Sequence, residues 1–390
     1  MIVKLGDIAR ECKCTTGKKD CPIVGLEHLE PKELLLKNYS SDPNTTFTKS
    51  FKAGQILFGR RRSYQQKASV ATFDGICSGD IIVIEAIPEK VEPRLLPFII
   101  QNEAFFNYSI IGSAGGLSPR VKWQHLANYE FELPSLEEQR VLADKLWAAY
   151  EVKESYKNLL AQTDKLLHAQ FQKMFGERWE HKTLGEIGTF QRGGGFQKND
   201  FVEGGIPCIH YGQIHTKFGP YISSHLTEIS SDLESKVKYA AKGDLLIAIT
   251  SEDEEGSCKS TAWLGNYNVA VGGHAAIFHH NMNPLFMSYY FKSSVFNAEK
   301  VKYLRGSKVI EIKPDDIAKI HVPIPPMELQ KQFAETAEQA EQTKASLNKG
   351  IEAIEAVIHS LIAEGAFTQQ LAPDCRCSRL CSICRSILRI

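Results

Sequence analysis

Two stretches of this chain are copies of each other, and that limits its possible folds more than any other feature. Leu133-Pro134-Ser135-Leu136-Glu137-Glu138-Gln139 opens a proline-free run to Phe175, and Ile324-Pro325-Pro326-Met327-Glu328-Leu329-Gln330 opens another to about Ala366. The prolines hold each opening extended, because the residue before a proline avoids the helical region. Ser135 suits an N-cap, and Glu137, Glu138 and Glu328 suit the positive end of a helix dipole. Each stretch therefore reads as a rigid turn followed by a long helix.

The second run carries a heptad seam: Phe333, Ala337, Ala340, Lys344, Leu347, Ile351, Ile354, Ile358 and Leu361. Steps of four and three are those of a coiled-coil stripe. The interval between Gln139 and Gln330 is 191 residues. Shifted by it, the seam becomes Leu142, Leu146, Ala149, Lys153, Tyr156, Leu160, Thr163, Leu167 and Gln170, with a lysine at the same step. Roughly 40 residues at about 1.5 Å each give a helix near 60 Å long, more than a compact domain needs. Two such helices with the same interrupted stripe most simply pack on each other.

The segments between the helices repeat as well. Leu5-Gly6-Asp7-Ile8 matches Leu184-Gly185-Glu186-Ile187, and Phe51–Phe58 matches Ala241–Ala248, each with a lysine, a glycine turn and an apolar strand. Strand-like runs follow at Ile81–Ile84 and Ala275–Phe278, then aromatic-rich stretches and Gly112-Ser113 or Gly306-Ser307. The interval grows from 179 residues at the opening to 194 at Gly112 and Gly306. A shared frame with loops of different length places recognition in the loops. The predicted organisation is α+β. Two homologous mixed α/β domains, 1–132 and 180–323, are separated by long helices at 133–176 and 324–368 that form an antiparallel coiled coil, and a Cys/Arg-rich tail at 369–390 is read as disordered.

A chain of 390 residues accommodates two or three domains. It has no apolar run of membrane-spanning length and no signal peptide, so the expectation is a cytoplasmic protein without membrane contact. Free thiols are the default there for its ten cysteines. The net charge is zero, so any basic surface must be local.

The doubled frame, carried by Leu133–Gln139 and Ile324–Gln330 and supported by the Gly54 and Gly243 strand motifs, resembles the specificity subunit of type I restriction-modification systems over about residues 1–368. The resemblance implies two target-recognition domains, each reading one half of a bipartite double-stranded DNA sequence. It implies methylase subunits docked on the helices, with a restriction or translocase subunit able to join. It also implies no catalysis and no cofactor in this chain; S-adenosylmethionine would belong to the methylase. The residues agree: there is no Asn-Pro-Pro-Tyr or Asp-Pro-Pro-Tyr stretch and no phosphate loop ending Gly-Lys-Ser/Thr. Gly193-Gly194-Gly195 reads as a flexible loop and His279-His280 as a surface pair.

In the first domain the DNA-binding candidates are Lys49, Lys52 and the run Arg60, Arg61, Arg62, Tyr64, Gln65 and Lys67, with no compensating acid beside the arginines. Arginine pairs with guanine and glutamine with adenine, while lysine and serine hold phosphates. A second run offers Ser113, Ser118, Arg120 and Lys122 around Gly115-Gly116. In the second domain the candidates are Gln191, Arg192, Lys198, Tyr211, Gln213, Lys259, Arg305, Ser307 and Lys308. There Ser251-Glu252-Asp253-Glu254-Glu255 stands where the arginines stood. It reads as a loop held clear of DNA, the alternative being an acceptor for cytosine N4. The C-terminal Cys375, Cys377, Cys381 and Cys384 offer four ligands for Zn²⁺, but the Cys-x-Cys spacing is unusual for a structural site, and a disordered tail is the preferred reading.

Two other readings compete. One is the specificity subunit of a system with fused methylase and nuclease chains. The other is a coiled-coil adaptor that binds proteins and shows no salt-dependent DNA affinity.

Overall fold

The computed structural model describes residues 1–17, 20–42, 44–114, 118–176 and 179–365. Gly115, Gly116 and the tail cysteines lie outside them. Two long helices, Leu136–Phe175 and Met327–Glu364, dominate the secondary structure. The chain divides into two compact units, Met1–Ser155 with the described part of Gly350–Ile390, and Tyr156–Lys349. Each unit takes half of each long helix, so the helices do not stand apart from the globular segments. The reason lies in their ends, where bulky apolar residues leave the seam and enter the domain cores.

In the first unit Leu146 and Tyr150 are buried in a core with Phe58, Ile84, Phe105 and Tyr129, and Ile358 and Leu361 pack against it. In the second, Leu167, Phe171, Phe175, Phe333 and Ala337 join Phe278, Phe286 and Tyr290. The end of one helix thus lies beside the start of the other, which makes the pair antiparallel. None of the seam residues is exposed, and Ala149, Tyr156, Leu160, Ala340, Leu347, Ile351 and Ile354 are half-buried. Each seam lysine meets an acid across the pair. Lys153 Nζ lies 2.7 Å from Glu355 Oε1 in the first unit, and Lys344 Nζ lies 2.7 Å from Asp164 Oδ1 in the second. Burial opposes the Lys344 charge, but its bonds to Asp164 and Glu341 outweigh burial and raise its pKa.

The central sheet of the first unit orders its strands Ala9–Cys12, Ile81–Ala86, Ile56–Gly59 and Ala68–Val70, all antiparallel. Side chains alternate across a strand. Ile56, Phe58, Ile82 and Ile84 therefore enter one core, while Leu57, Ile81 and Val83 enter another beneath the small sheet of Ile23–Val24, Gly75–Cys77 and Lys49–Phe51. The second unit repeats this. Leu245, Ile247, Ala276 and Phe278 face one core; Leu246, Ala248, Ala275 and Ile277 face the other. Its central sheet has five strands, in the order Gly188–Arg192, Ala275–His280, Leu245–Ala248, Ser260–Trp263 and Tyr221–Ile222.

The repeated motifs have matching chemistry. Leu5 and Gly6 donate their N–H groups to Tyr129 and Ala127, and Leu184 and Gly185 donate to Ile320 and Ala318. Gly54 and Gly243 adopt φ of 87° and 102°, a left-handed turn that glycine allows without steric cost. The turn glutamines act as clamps. Gln139 Oε1 accepts from Glu92 N at 2.8 Å and its Nε2 donates to Pro134 O at 2.9 Å. Gln330 Oε1 accepts from Asn283 N at 2.9 Å and its Nε2 donates to Pro325 O at 2.8 Å. Each glutamine is 2% exposed. Ser135 and Glu138 form a capping box on the first helix, with Ser135 N donating to Glu138 Oε2 at 2.9 Å. In the second helix Pro326 occupies the cap position, and its carbonyl accepts from Leu329 and Gln330.

Two expectations are corrected. Gly193 and Gly194 form a tight crossing rather than a flexible loop: a Cβ on Gly193 would lie 2.3 Å from Gly272 O, and one on Gly194 2.7 Å from Lys236 O. His279 and His280 are not a surface pair. His279 Nδ1 lies 2.9 Å from Asp244 Oδ1, and His280 is half-buried with its pKa lowered to about 4, chiefly by burial.

Replacing Gln139 or Gln330 with alanine strands a buried N–H and a buried carbonyl. Each substitution should cost about 2–4 kcal/mol, counting one or more unsatisfied groups. Urea unfolding, read as a fall in midpoint at unchanged slope, measures it.

Candidate nucleic-acid interface

In the first unit the two candidate runs form one surface. Arg61 and Arg120 face each other in an antiparallel bridge, Arg62 N donates to Pro119 O at 2.9 Å, and Val121 N donates to Arg60 O at 3.0 Å. A short turn at Ser63–Gln65 follows. Arg62 and Gln66, on either side of it, have φ of 56° and 51°. Left-handed backbone at non-glycine residues costs energy and gathers at functional sites. Here it presents Tyr64, 56% exposed, beside exposed Arg62, Arg120 and Lys122. Ser63 is buried, with its Oγ 3.4 Å from that of Ser113. Arg60 Nε is buried with no hydrogen-bond partner among the described residues.

The arginines do have a compensating acid, contrary to expectation. Asp80 accepts from Arg120 Nε at 2.7 Å and lies 3.5 Å from Arg61 Nη1. Arg61 Nε also donates to Ser118 Oγ at 2.8 Å. The bond from Arg120 and its charge hold the Asp80 carboxyl below the usual range against its partial burial. Asp80 thus fixes two guanidiniums, while Arg62 has no acid partner among the described residues. Nothing in the local sequence pairs it with Arg61; only folding of Ile81–Ala86 against Ile56–Gly59 brings it there.

Three candidates are withdrawn because their side chains are spent inside the fold. Lys49 Nζ donates to Ile81 O at 2.8 Å and lies 3.7 Å from Glu11, and Lys67 Nζ donates to Leu26 O at 2.8 Å. Gln213 is 5% exposed, accepting from His210 N and donating to Thr227 Oγ1. Lys52 is exposed but sits at the far end of its strand pair, and Gln65 is half-buried.

The second unit builds the same corner with reversed charge. Ile312 N donates to Ile249 O as Val121 N does to Arg60 O, and Arg305 pairs with Glu311 as Ala114 does with Arg120. Where the first unit has Arg120, the second has Glu311, 3.3 Å from Arg192 Nη2. Arg192 Nε donates to Gly273 O, and Arg305 Nη2 bonds Asp316 Oδ2 at 2.8 Å. Ser307 and Lys308 are exposed on a turn whose Gly306 has φ of 97°. Glu252–Glu255 extend from Thr250–Ser251, which pairs with Ile310–Glu311. Lys198 is exposed, Gln191 is half-buried in its strand, and Tyr211 is 40% exposed against the rings of His215 and His274. Lys259 lies elsewhere, beside His215 O.

Both repeats match the family model described as the type I restriction modification DNA specificity domain, over residues 1–162 and 176–356. The chain belongs to this family. Among curated proteins it is similar to the type I restriction enzyme EcoDI specificity subunit of Escherichia coli, 24% identical over 179 residues. That match covers 44% of this chain and only 40% of the relative. Among solved structures it is similar to a chain from work on complex assembly and conformational transition of the type I R-M system. The TM-score is 0.56 at 19% identity, covering 95% of this chain and 98% of that one. The S subunit of the type I system of M. genitalium gives a TM-score of 0.56 at 14% identity, covering 95% and 96%. The shared fold is thus two homologous mixed α/β domains and two long helices. Among the described residues no helix is long and apolar enough to cross a membrane.

The depressed Asp80 pKa gives a signed pH dependence. Its contribution is complete above the unfolded value, near 3.9, and is lost as pH falls through the lower folded value. Asp80→Asn should be about 0.5–1 kcal/mol less stable than the parent at pH 7, a small figure because the arginines are partly exposed. The difference should shrink as pH falls below the unfolded value and vanish below the lowered folded one, as denaturation curves from pH 7 into acid would report.

Proposed function

We propose that the chain is the DNA-reading subunit of a type I restriction-modification complex. Each recognition domain reads one half of a bipartite double-stranded target. The observation that carries this is the family match over both repeats, joined to the arginine face around Asp80. In the first domain Arg60, Arg61, Arg62 and Arg120 contact bases or phosphates, with Tyr64, Ser113, Ser118 and Lys122 beside them. In the second, Arg192, Lys198, Tyr211, Arg305, Ser307 and Lys308 serve, and the acidic loop stays clear of the backbone.

Methylase subunits dock on the helical frame, and a restriction subunit can join. The chain performs no catalysis and holds no cofactor; S-adenosylmethionine binds the methylase. The complex works in the cytoplasm. A system with fused methylase and nuclease chains would use this subunit in the same way, and sequencing the neighbouring reading frames separates the two.

Replacing residues 1–132 with the corresponding domain of another family member should change one half of the methylated motif and leave the other intact. Methylation mapping reads both halves at once, and a change in both would sink the two-reader proposal. A protein-binding adaptor would yield no methylation pattern at all.

Substituting Arg61, Arg62 or Arg120 by alanine separates two roles. A base contact costs about 1–3 kcal/mol of discrimination at one position. A phosphate contact weakens all sequences alike and lowers the salt slope by about one. Binding titrations over a salt series, with the methylase present, measure both. Unchanged affinity and slope in all three would remove this face from the interface.

A further inference from the structure

A cavity of about 310 Å³ lies inside the second unit, lined by Lys259, Lys292, Lys300, His168, His215 and Ser260. We propose that it is a binding pocket for a phosphate group, held by the three lysines and the Ser260 hydroxyl.

Four observations support this. Lys300 is 3% exposed, and its ammonium donates only to carbonyls, Ser257 O at 2.8 Å and Glu255 O at 3.3 Å. Two of its three N–H groups are used, and the third is available. Among the described residues none of the three lysines has a carboxylate within ion-pair distance. Ser260 is 6% exposed, and its Oγ has no hydrogen-bond partner. A buried hydroxyl without a partner is costly, and a bound water or ion is one way to satisfy it.

The charges favour a dianion. Glu255 is the one carboxylate lining the cavity, against three ammoniums. Asp253 and Glu254 act on Lys300 from the adjoining loop. Glu341 and Asp164 attract Lys292, but both already bond Lys344. Burial therefore prevails at Lys292 and pulls its pKa down to about 8. An anion beside it would restore its charge. The volume suits groups from inorganic phosphate to a nucleoside monophosphate.

The first unit has a cavity of about 230 Å³ at the equivalent place, but its lining differs, with Lys153 paired to Glu355. There Gln101 stands 191 residues before Lys292, and its amide donates to Glu33 O at 2.8 Å and to Ala68 O. A neutral side chain satisfied by carbonyls has taken the place of a lysine with no acid of its own. A lysine without an acid partner at this position is thus particular to the second repeat. The pocket does not depend on the DNA-reading proposal.

The test is calorimetric titration of the full chain with inorganic phosphate, at constant ionic strength and with chloride as the balancing anion. One saturable site per chain is expected. Lys292→Gln, which copies the first repeat, and Ser260→Ala should each weaken it by about threefold to tenfold or more. Both variants should keep the parent's circular dichroism. No saturable binding up to 50 mM, roughly ten times a millimolar-range constant, would overturn the proposal. So would binding that both substitutions leave unchanged.

Duplex DNA distinguishes the source of the phosphate. If the pocket takes a backbone phosphate, added phosphate competes with DNA at fixed ionic strength and Lys292→Gln lowers DNA affinity. If it takes a free phosphate, DNA affinity is unaffected and phosphate binds the DNA-bound chain equally well.

Discussion

Everything in each unit depends on how the long helix leaves the globular domain, and one buried glutamine governs that junction. Gln139 and Gln330 each tie the proline turn to a backbone N–H in the domain, using both ends of the amide. The exchange satisfies a buried donor and a buried carbonyl that water cannot reach. It also fixes the direction in which the helix starts. Phe98 against Trp147, and Tyr289 against Phe333, then fill the angle between domain and helix.

The double-sided burial of the central sheets has a functional counterpart. Strands such as Ile56–Gly59 and Leu245–Ala248 are buried along their whole length. Their side chains cannot vary without disturbing two cores. Loops at the strand ends have no such obligation. The first unit therefore follows its strand with Arg60–Arg62, and the second follows the equivalent strand with Thr250–Glu255, on an identical pattern of backbone bonds. The two units thus present loops of opposite charge on the same scaffold.

Much of this was legible in the chain before folding. The helix seam could be read because heptad spacing is local, and the repeats because both copies are present for comparison. The arginine run was visible, but its partner was not, since Asp80 reaches Arg61 only across the sheet. Lys49, Lys67 and Gln213 looked like free polar groups and proved to be spent on carbonyls or caps. Residue type declares what a side chain can bond, but only the fold shows whether that capacity is already used. The same limit hid Lys292, an unremarkable lysine in sequence that stands at the wall of a cavity.

The seam lysines have a consequence for shorter chains. Lys153 pairs with Glu355, and Lys344 pairs with Asp164. Because the repeats are offset by 191 residues, Lys344 and Glu355 are the counterparts of Lys153 and Asp164. The first helix alone therefore carries both the cation and the anion of the bond, at positions that would meet if it lay antiparallel to itself. A gene encoding only one domain and one helix would specify a surface that is its own complement. Two copies of such a product would offer each other the same pair of ionic bonds that this chain forms within itself.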